Sequence, residues 1–253
     1  MEITNFKYIG IDPAGGLERI QIAIFNQTGG LESSFACPLG ELYPIISDPS
    51  RVIVAVNSPM KLNNGKLREA RLGAELPEMH IPGRNVDMRV AEFILRAKGI
   101  HVGMTPSINA LCTQAVRVGF EVYALLENSG YSGSLKSDRV VVESNAHAVF
   151  CALAGMSPLT KLTLEGRLQR QLLLFDGGLQ IKDPMEFLEE VTRHKLLRGI
   201  LPWDELYTFE ELDAMAMGLM AFYVGDSEKP SIPIGDLDEG LIFLPAAQLL
   251  ERY

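Results

Sequence analysis

The stretch KYIGIDPAGGLERIQIAIFNQTGGLESSFAC, residues 7–37, decides the fold. It contains three strand-like runs, Lys7 to Asp12, Arg19 to Phe25 and Leu31 to Cys37, separated by the turn-forming segments PAGG and NQTGG. The alternation in IQIAI suits a pleated surface, and two such short connections join the three runs as a meander. A short helical candidate follows around Glu41 to Ile46. The run RVIVAV, residues 51–56, is then continuous and β-branched, as expected of a strand buried on both faces, and it ends at Asn57-Ser58-Pro59.

Working outward, residues 60–85 are polar, contain Gly and Pro, and read as a long loop or excursion near the end of that buried strand. Helices are predicted over Val86 to Lys98, Ile108 to Gly119, Ala146 to Ala154 and Leu164 to Leu174, and strands over Phe120 to Leu125 and Val140 to Glu143. Thr208 and Glu211 have capping-box spacing ahead of an apolar helix running from Phe209 to Val224. From Ala214 to Gly225 that helix carries no charged residue, so burial almost all round is expected. There is no internal repeat, low-complexity tract or obvious linker, and residues 1–253 are read as one α/β domain.

The chain has 253 residues, 47% of them hydrophobic and 22% charged, which supplies a real core and excludes a disordered chain. Cys37, Cys112 and Cys151 form no C-x-x-C pair and read as reduced core residues. No apolar run is long enough to span a bilayer, and the first residues run straight into a strand pattern, so a cytoplasmic protein without membrane partners is expected. The formal net charge of -9 argues against broad duplex binding, which needs a basic face.

Three acids stand where apolar elements end or begin. Asp12 follows the first strand and precedes a small-residue turn, where it is either a ligand-facing carboxylate or a turn former. Glu143 ends VVVE as a strand-end acid or an acid favoured by the following helix dipole. Asp213 is a site acid or a first-turn acid beside Glu210 and Glu211. Converging carboxylates repel one another unless a cation sits between them, and Mg2+ or Mn2+ would supply that charge and activate water for phosphoryl transfer.

The order of motifs IGIDPAGG (9–16), VAVNSP (54–59), GRNVDMR (83–89), VVVESNAHAVFCALAG (140–155), TKLTLEGRLQRQL (160–172) and ELDAMAMGLMA (211–221) resembles the family grouped as domain of unknown function 429. That family is regarded as predicted nucleases of the ribonuclease H-like fold. The resemblance implies a mixed sheet with three antiparallel strands followed by parallel ones, helices on both faces, and a nucleic-acid partner. It implies metal ligation at Asp12, Glu143 and Asp213. At the fourth strand the family pattern has Asp-x-Pro where this chain has Asn57-Ser58-Pro59; Asn57 can offer an oxygen to a metal but no charge. Asp87 is a candidate for the missing charge, or an exposed helix acid.

Arg84, Arg89, Lys161, Arg167 and Arg170 fall within these motifs as candidate phosphate-binding residues, or as solvated helix faces. Arg167 and Arg170 are three apart and share a face. His80, His101, His147 and His194 lack ligand spacing. Gly130-Tyr131-Ser132-Gly133-Ser134 misses the nucleophile-elbow pattern at its last residue, and neither a Walker loop nor a GxGxxG fingerprint is present. The leading expectation is a metal-dependent nuclease or phosphodiesterase in which a metal-activated water is the nucleophile. A binding module of the same fold that has lost activity is the alternative. An actin-like or sugar-kinase-type nucleotide-binding protein is the third, although the chain is short for a duplicated unit.

Overall fold

The structure is a computed structural model that describes residues 6–47, 51–73 and 87–253. Its strands are β1 (Phe6–Asp12), β2 (Ile20–Phe25), β3 (Leu31–Cys37), β4 (Arg51–Val56), β5 (Arg139–Glu143), β6 (Ile232–Asp236) and β7 (Gly240–Leu244). Its α-helices are α1 (Leu42–Ile46), α2 (Lys66–Gly73), α3 (Val90–Ala97), α4 (Gln114–Asn128), α5 (Ala146–Ala154), α6 (Leu164–Asp176), α7 (Met185–Glu190), α8 (Arg193–Leu197) and α9 (Phe209–Gly225).

The strands form one sheet in the order β3-β2-β1-β4-β5-β7-β6. β1, β2 and β3 are antiparallel neighbours, and β4 and β5 then add in parallel beside β1. Beyond β5 lies a hairpin in which β7 meets β5 in parallel and β6 runs antiparallel to β7. The meander followed by parallel strands, with helices on both faces, is a ribonuclease H-like arrangement.

Side-chain alternation divides the core between the two faces. Ile9, Ile11, Val52, Val54, Val56 and Val141 face one way, onto Val118, Val122 and Leu126 of α4. Tyr8, Ile53, Ala55, Val140 and Val142 face the other way, onto α5 and α9. In α9 every residue from Leu212 to Tyr223 is buried, as its uncharged run requires. The capping box is formed: Glu211 N donates to Thr208 Oγ1 at 3.3 Å, and Thr208 N donates to Glu211 Oε2 at 2.8 Å.

One predicted strand is corrected. Phe120 to Leu125 lies inside α4, which Thr113 caps by accepting from Val116 N at 3.4 Å. Its β-branched and aromatic residues suggest a strand, but Val118, Val122, Tyr123 and Leu126 are buried at helical spacing, so packing overrides propensity. The excursion contains α2, and its remaining residues from 74 onward lie outside the described residues. The helix expected from Val86 starts at Val90, and the one expected from Ile108 begins as a 3-10 turn, Asn109–Leu111, ahead of α4.

The contact that seats α9 is made by Gly10 in β1. A Cβ there would lie 1.9 Å from the Ala214 carbonyl oxygen and 2.3 Å from Gly218 N. Those are backbone atoms of a buried helix and cannot step aside. Gly10→Ala is expected to destabilise the protein by about 3 kcal/mol or more in urea unfolding. Gly40→Ala, with nothing within 4 Å of the new methyl, should change stability by less than about 0.5 kcal/mol. Similar effects at both positions would contradict this packing.

Candidate functional site

The candidate site lies at the carboxyl edge of the sheet, where β1 and β4 end side by side. Their parallel register runs to the pair Ile11 and Val56, and Asn57 N donates to the Ile11 carbonyl at 2.9 Å. Asp12 and Asn57 are therefore neighbours, one residue past that pair and on the α9 face. The chain turns away from Asp12 through a 3-10 turn at Pro13–Gly15, closed by Gly16 at φ 86, a conformation that favours glycine.

Asp12 is 2% exposed. Its Oδ1 accepts from Asn57 Nδ2 at 3.0 Å and from Ala14 N at 3.3 Å, while its Oδ2 has no hydrogen bond among the described residues. The other end of Asn57 is also engaged, because Oδ1 accepts from Ala146 N at the start of α5, at 2.9 Å. An amide can donate to a carboxylate and accept from a helix N–H at once; an aspartate at this position could not donate to Asp12. Asn57 thus ties β1 to α5 through both ends of its amide.

Asp213 reaches the same edge from the second turn of α9. Lys161 Nζ lies 2.9 Å from its Oδ2 and also sits over the Phe209 ring, 5.1 Å from the centroid. Burial and the charge of Asp213 push the Asp12 carboxyl up to about 6, against the opposing hydrogen bond from Asn57. The Asp213 carboxyl is raised as well, by burial, with Lys161 pulling the other way. Two buried carboxylates thus interact electrostatically, with Lys161 acting on both and Arg170 on Asp213 as opposing charges.

Glu143 occupies the other face. It pairs with Val56 across β4 and β5, in line with Ile11, and so points with them toward α4. There it meets Arg89 in a two-pronged ion pair: Nη2 to Oε1 at 2.5 Å and Nη1 to Oε2 at 2.9 Å, with Met60 N donating to Oε2 at 2.7 Å. Arg89 also binds Glu92 at 2.8 Å through Nε, and Thr105 N donates to the Glu92 carboxylate at 2.9 Å. Burial works against the charge on Arg89, but Glu143 and Glu92 outweigh it and hold the guanidinium more firmly protonated than usual. Both Glu143 oxygens accept from donors of this network, and its side chain lines a cavity that Asp12 also lines.

The basic residues divide in the same way. Arg89 is 1% exposed and belongs to the ion-pair network. Arg167 donates to the Tyr207 and Leu206 carbonyls at 2.9 and 3.1 Å, and so pins the loop before α9. Arg84 and His80 lie outside the described residues. Lys161 and Arg170 line a cavity of about 400 Å³ together with Asn57, Asn145, His147 and Asp213. A second cavity, of about 330 Å³, lies on the other side of Asn57 and Asn145; Asp12, Thr105 and Glu143 are in its wall. Burial, with Arg170 nearby, lowers the His147 pKa, so its imidazole is neutral at pH 7.

Asp87 is paired with Arg68 at 2.5 Å at the surface and supplies no charge to the site. The three cysteines are free and buried. Among the described residues no three His, Cys, Asp or Glu side chains come together as a metal cluster. Asp12 and Asp213 each have one oxygen without a hydrogen-bond partner among the described residues, and carboxylate oxygens are the donors that Mg2+ and Mn2+ take. Sequence reading misses Asn145, which caps α5 by accepting from Ala148 N at 3.0 Å and lines both cavities. Its signal is an Asn directly before an apolar helix, next to a strand end.

Two outcomes follow from these environments. Arg89→Met strands Glu143 and Glu92 as buried, unpaired carboxylates, and a loss of about 3–5 kcal/mol in urea unfolding is expected; a loss below about 1 kcal/mol would mean the pair is not buried. For Asp12 the raised folded-state pKa fixes the sign. The unfolded chain ionises it near 3.8, so its contribution to stability is lost as pH rises from about 4 to about 6 and stays lost above. Asp12→Asn should therefore stabilise the metal-free protein by about 2–3 kcal/mol at pH 8 and by almost nothing at pH 4. Destabilisation at pH 8 would contradict the assignment.

No helix among the described residues is long and apolar enough to cross a membrane. Compared with protein families, curated proteins and solved structures, the chain matches none, so its resemblance to domain of unknown function 429 rests on the motifs alone.

Proposed function

We propose that the chain is a metal-dependent phosphodiesterase of the ribonuclease H-like type, of the kind that resemblance implies, with one divalent-cation site at Asp12 and Asp213. The observation that carries this reading is the meeting of two buried carboxylates from separate elements. Each keeps one oxygen without a hydrogen-bond partner among the described residues; Asp213 lines the cleft that holds Lys161 and Arg170, and Asp12 lines the adjoining cavity across Asn57 and Asn145. Mg2+ or Mn2+ bound there would neutralise the pair, polarise a phosphoryl oxygen and lower the pKa of water.

The chain's own residues supply the rest. Asn57 fixes the carboxylate plane of Asp12 through its hydrogen bond, and Lys161 holds Asp213 toward the cleft. Hydrolysis adds the water oxygen to phosphorus and breaks one P–O ester bond, and the leaving oxygen takes up a proton. His147, neutral at pH 7 and lining the same cavity, is the group able to accept the proton that water gives up. Glu143 supports the reaction through Arg89 and the shape of the adjoining cavity, outside the cation site.

The second reading, a binding module with lost activity, is favoured by Asn57, where a fourth carboxylate would otherwise add charge. The two are separated by Mn2+ binding, followed by electron paramagnetic resonance, and by hydrolysis of bis(p-nitrophenyl) phosphate. The native chain should bind one Mn2+ and hydrolyse the diester, with Asp12→Asn and Asp213→Asn each lowering the rate on the order of 100-fold. Asn57→Asp should tighten Mn2+ binding while destabilising the metal-free protein. A native chain that binds Mn2+ without turnover, and gains turnover in Asn57→Asp, belongs to the second reading. Absence of Mn2+ binding contradicts both metal assignments.

A further inference from the structure

Arg170 is buried to 4% exposure, yet it uses only one of its nitrogens. Nη1 donates to the Leu159 carbonyl at 2.7 Å and to the Gly166 carbonyl at 2.9 Å, and the guanidinium lies over the Phe150 ring, 5.3 Å from the centroid. Nε and Nη2 have no hydrogen-bond partner among the described residues, and the side chain lines the 400 Å³ cavity. A planar donor edge held rigid by two carbonyls and an aromatic face, with donors left over, suits a phosphoryl group. Lys161, at the same cavity, supplies a second positive charge and is half exposed at its mouth.

The adjoining 330 Å³ cavity has the opposite character. Glu143 and Glu92 stand in its wall with the single guanidinium of Arg89 between them, and the rest of the lining includes Ala14, Val102, Met104 and Val116. A phosphate is repelled there, whereas an uncharged organic group of modest size is accommodated. Asn57 and Asn145 line both cavities; Asp12 is in the wall of one and Asp213 in the wall of the other. The carboxylate pair therefore lies between an anion-binding lobe and a neutral lobe.

Several of the basic residues nearest the cleft are already engaged. Arg68 is paired with Asp87, Lys66 with Asp238, and Arg89 and Arg167 are engaged internally. On the far side of Asp12, Arg19 lines a small cavity of about 210 Å³, but Glu210 stands beside it. With a net charge of -9, the surface outside the cleft disfavours further phosphates.

We infer that the substrate is a small phosphate ester of nucleotide or dinucleotide size, held by one phosphoryl group at Arg170 and Lys161 with its uncharged organic group in the adjoining lobe, rather than an extended strand or duplex. The inference rests on the phosphodiesterase reading for its chemistry, but binding is measurable apart from turnover. Adenosine monophosphate, the dinucleotide dTpdT, a twenty-nucleotide oligothymidylate and a twenty-base-pair duplex would be titrated calorimetrically between 25 and 250 mM salt, in EDTA and in Mg2+, with Mn2+ occupancy measured separately.

The expected result is binding of the monophosphate and dinucleotide in at least one of the two buffers. Lengthening to twenty nucleotides should gain less than about threefold per site, and log K should fall with log salt at a slope near -1, as for one or two phosphate contacts. Lys161→Met and Arg170→Lys should each weaken binding about tenfold, with unfolding curves recorded to confirm that both variants fold. Affinity that climbs with length at a slope steeper than about -3 overturns the inference in favour of an extended strand, and failure of all four probes in both buffers overturns it outright. Phosphate-ester binding without Mn2+ occupancy supports the inference while contradicting the cation site.

Discussion

Helix α9 lies so close to β1 that its backbone touches the position where Gly10 would carry a side chain, and the arrangement of charge at the sheet edge follows from that approach. Only a glycine in the strand lets the Ala214 carbonyl and Gly218 N come down onto the sheet. Gly218 in turn receives the ring of Phe25, whose Cε2 would stand 2.2 Å from any Cβ there. With the helix seated at that depth and uncharged from Ala214 onward, Asp213 is the last acid before the buried run, and it lies within electrostatic reach of Asp12 at the end of β1. An α9 held a side chain's thickness further away would leave these carboxylates in separate surroundings.

The charged groups of the edge fall into two systems divided by the sheet. On the α4 side, Glu143, Arg89 and Glu92 form a buried network whose oxygens are filled by donors. Such a network fixes the ends of β4, β5 and α3 relative to one another. On the α9 side, burial raises both carboxyls: the charge of Asp213 adds to the effect at Asp12, while Lys161 and Arg170 oppose it at Asp213. Asn57 joins Asp12 to α5 within the α9-side system, because a neutral amide gives Asp12 a donor and α5 an acceptor without adding to the repulsion.

Much of this was legible in the sequence, and the boundary has a physical cause. The meander, the buried strand RVIVAV and the buried helix from Phe209 are local patterns of hydrophobicity, turn residues and caps, and they appear where the patterns indicate. EVYAL in α4 was not legible, because aromatic and β-branched residues favour a strand while the packing of Val118, Val122 and Leu126 decides for a helix. The β6–β7 hairpin has only short apolar runs, IPIG and LIFL, around its DLDEG turn, which is a weak local signal for two strands. Asp12, Asn57 and Asp213 are recognisable as residues at element ends. Which face of the sheet each carboxylate takes depends on strand parity: Glu143 is in line with Ile11 and Val56, and that count needs the register between strands that only the fold supplies.

The central claim is that Asp12 and Asp213, without Glu143, hold one divalent cation. Anomalous diffraction at the manganese edge from crystals of the full chain soaked in Mn2+ tests it most directly. A single peak within about 2.5 Å of one oxygen of each of these two carboxylates is the result this account requires. A peak on Glu143 in place of Arg89, or no peak at the Asp12 edge under saturating Mn2+, would contradict it.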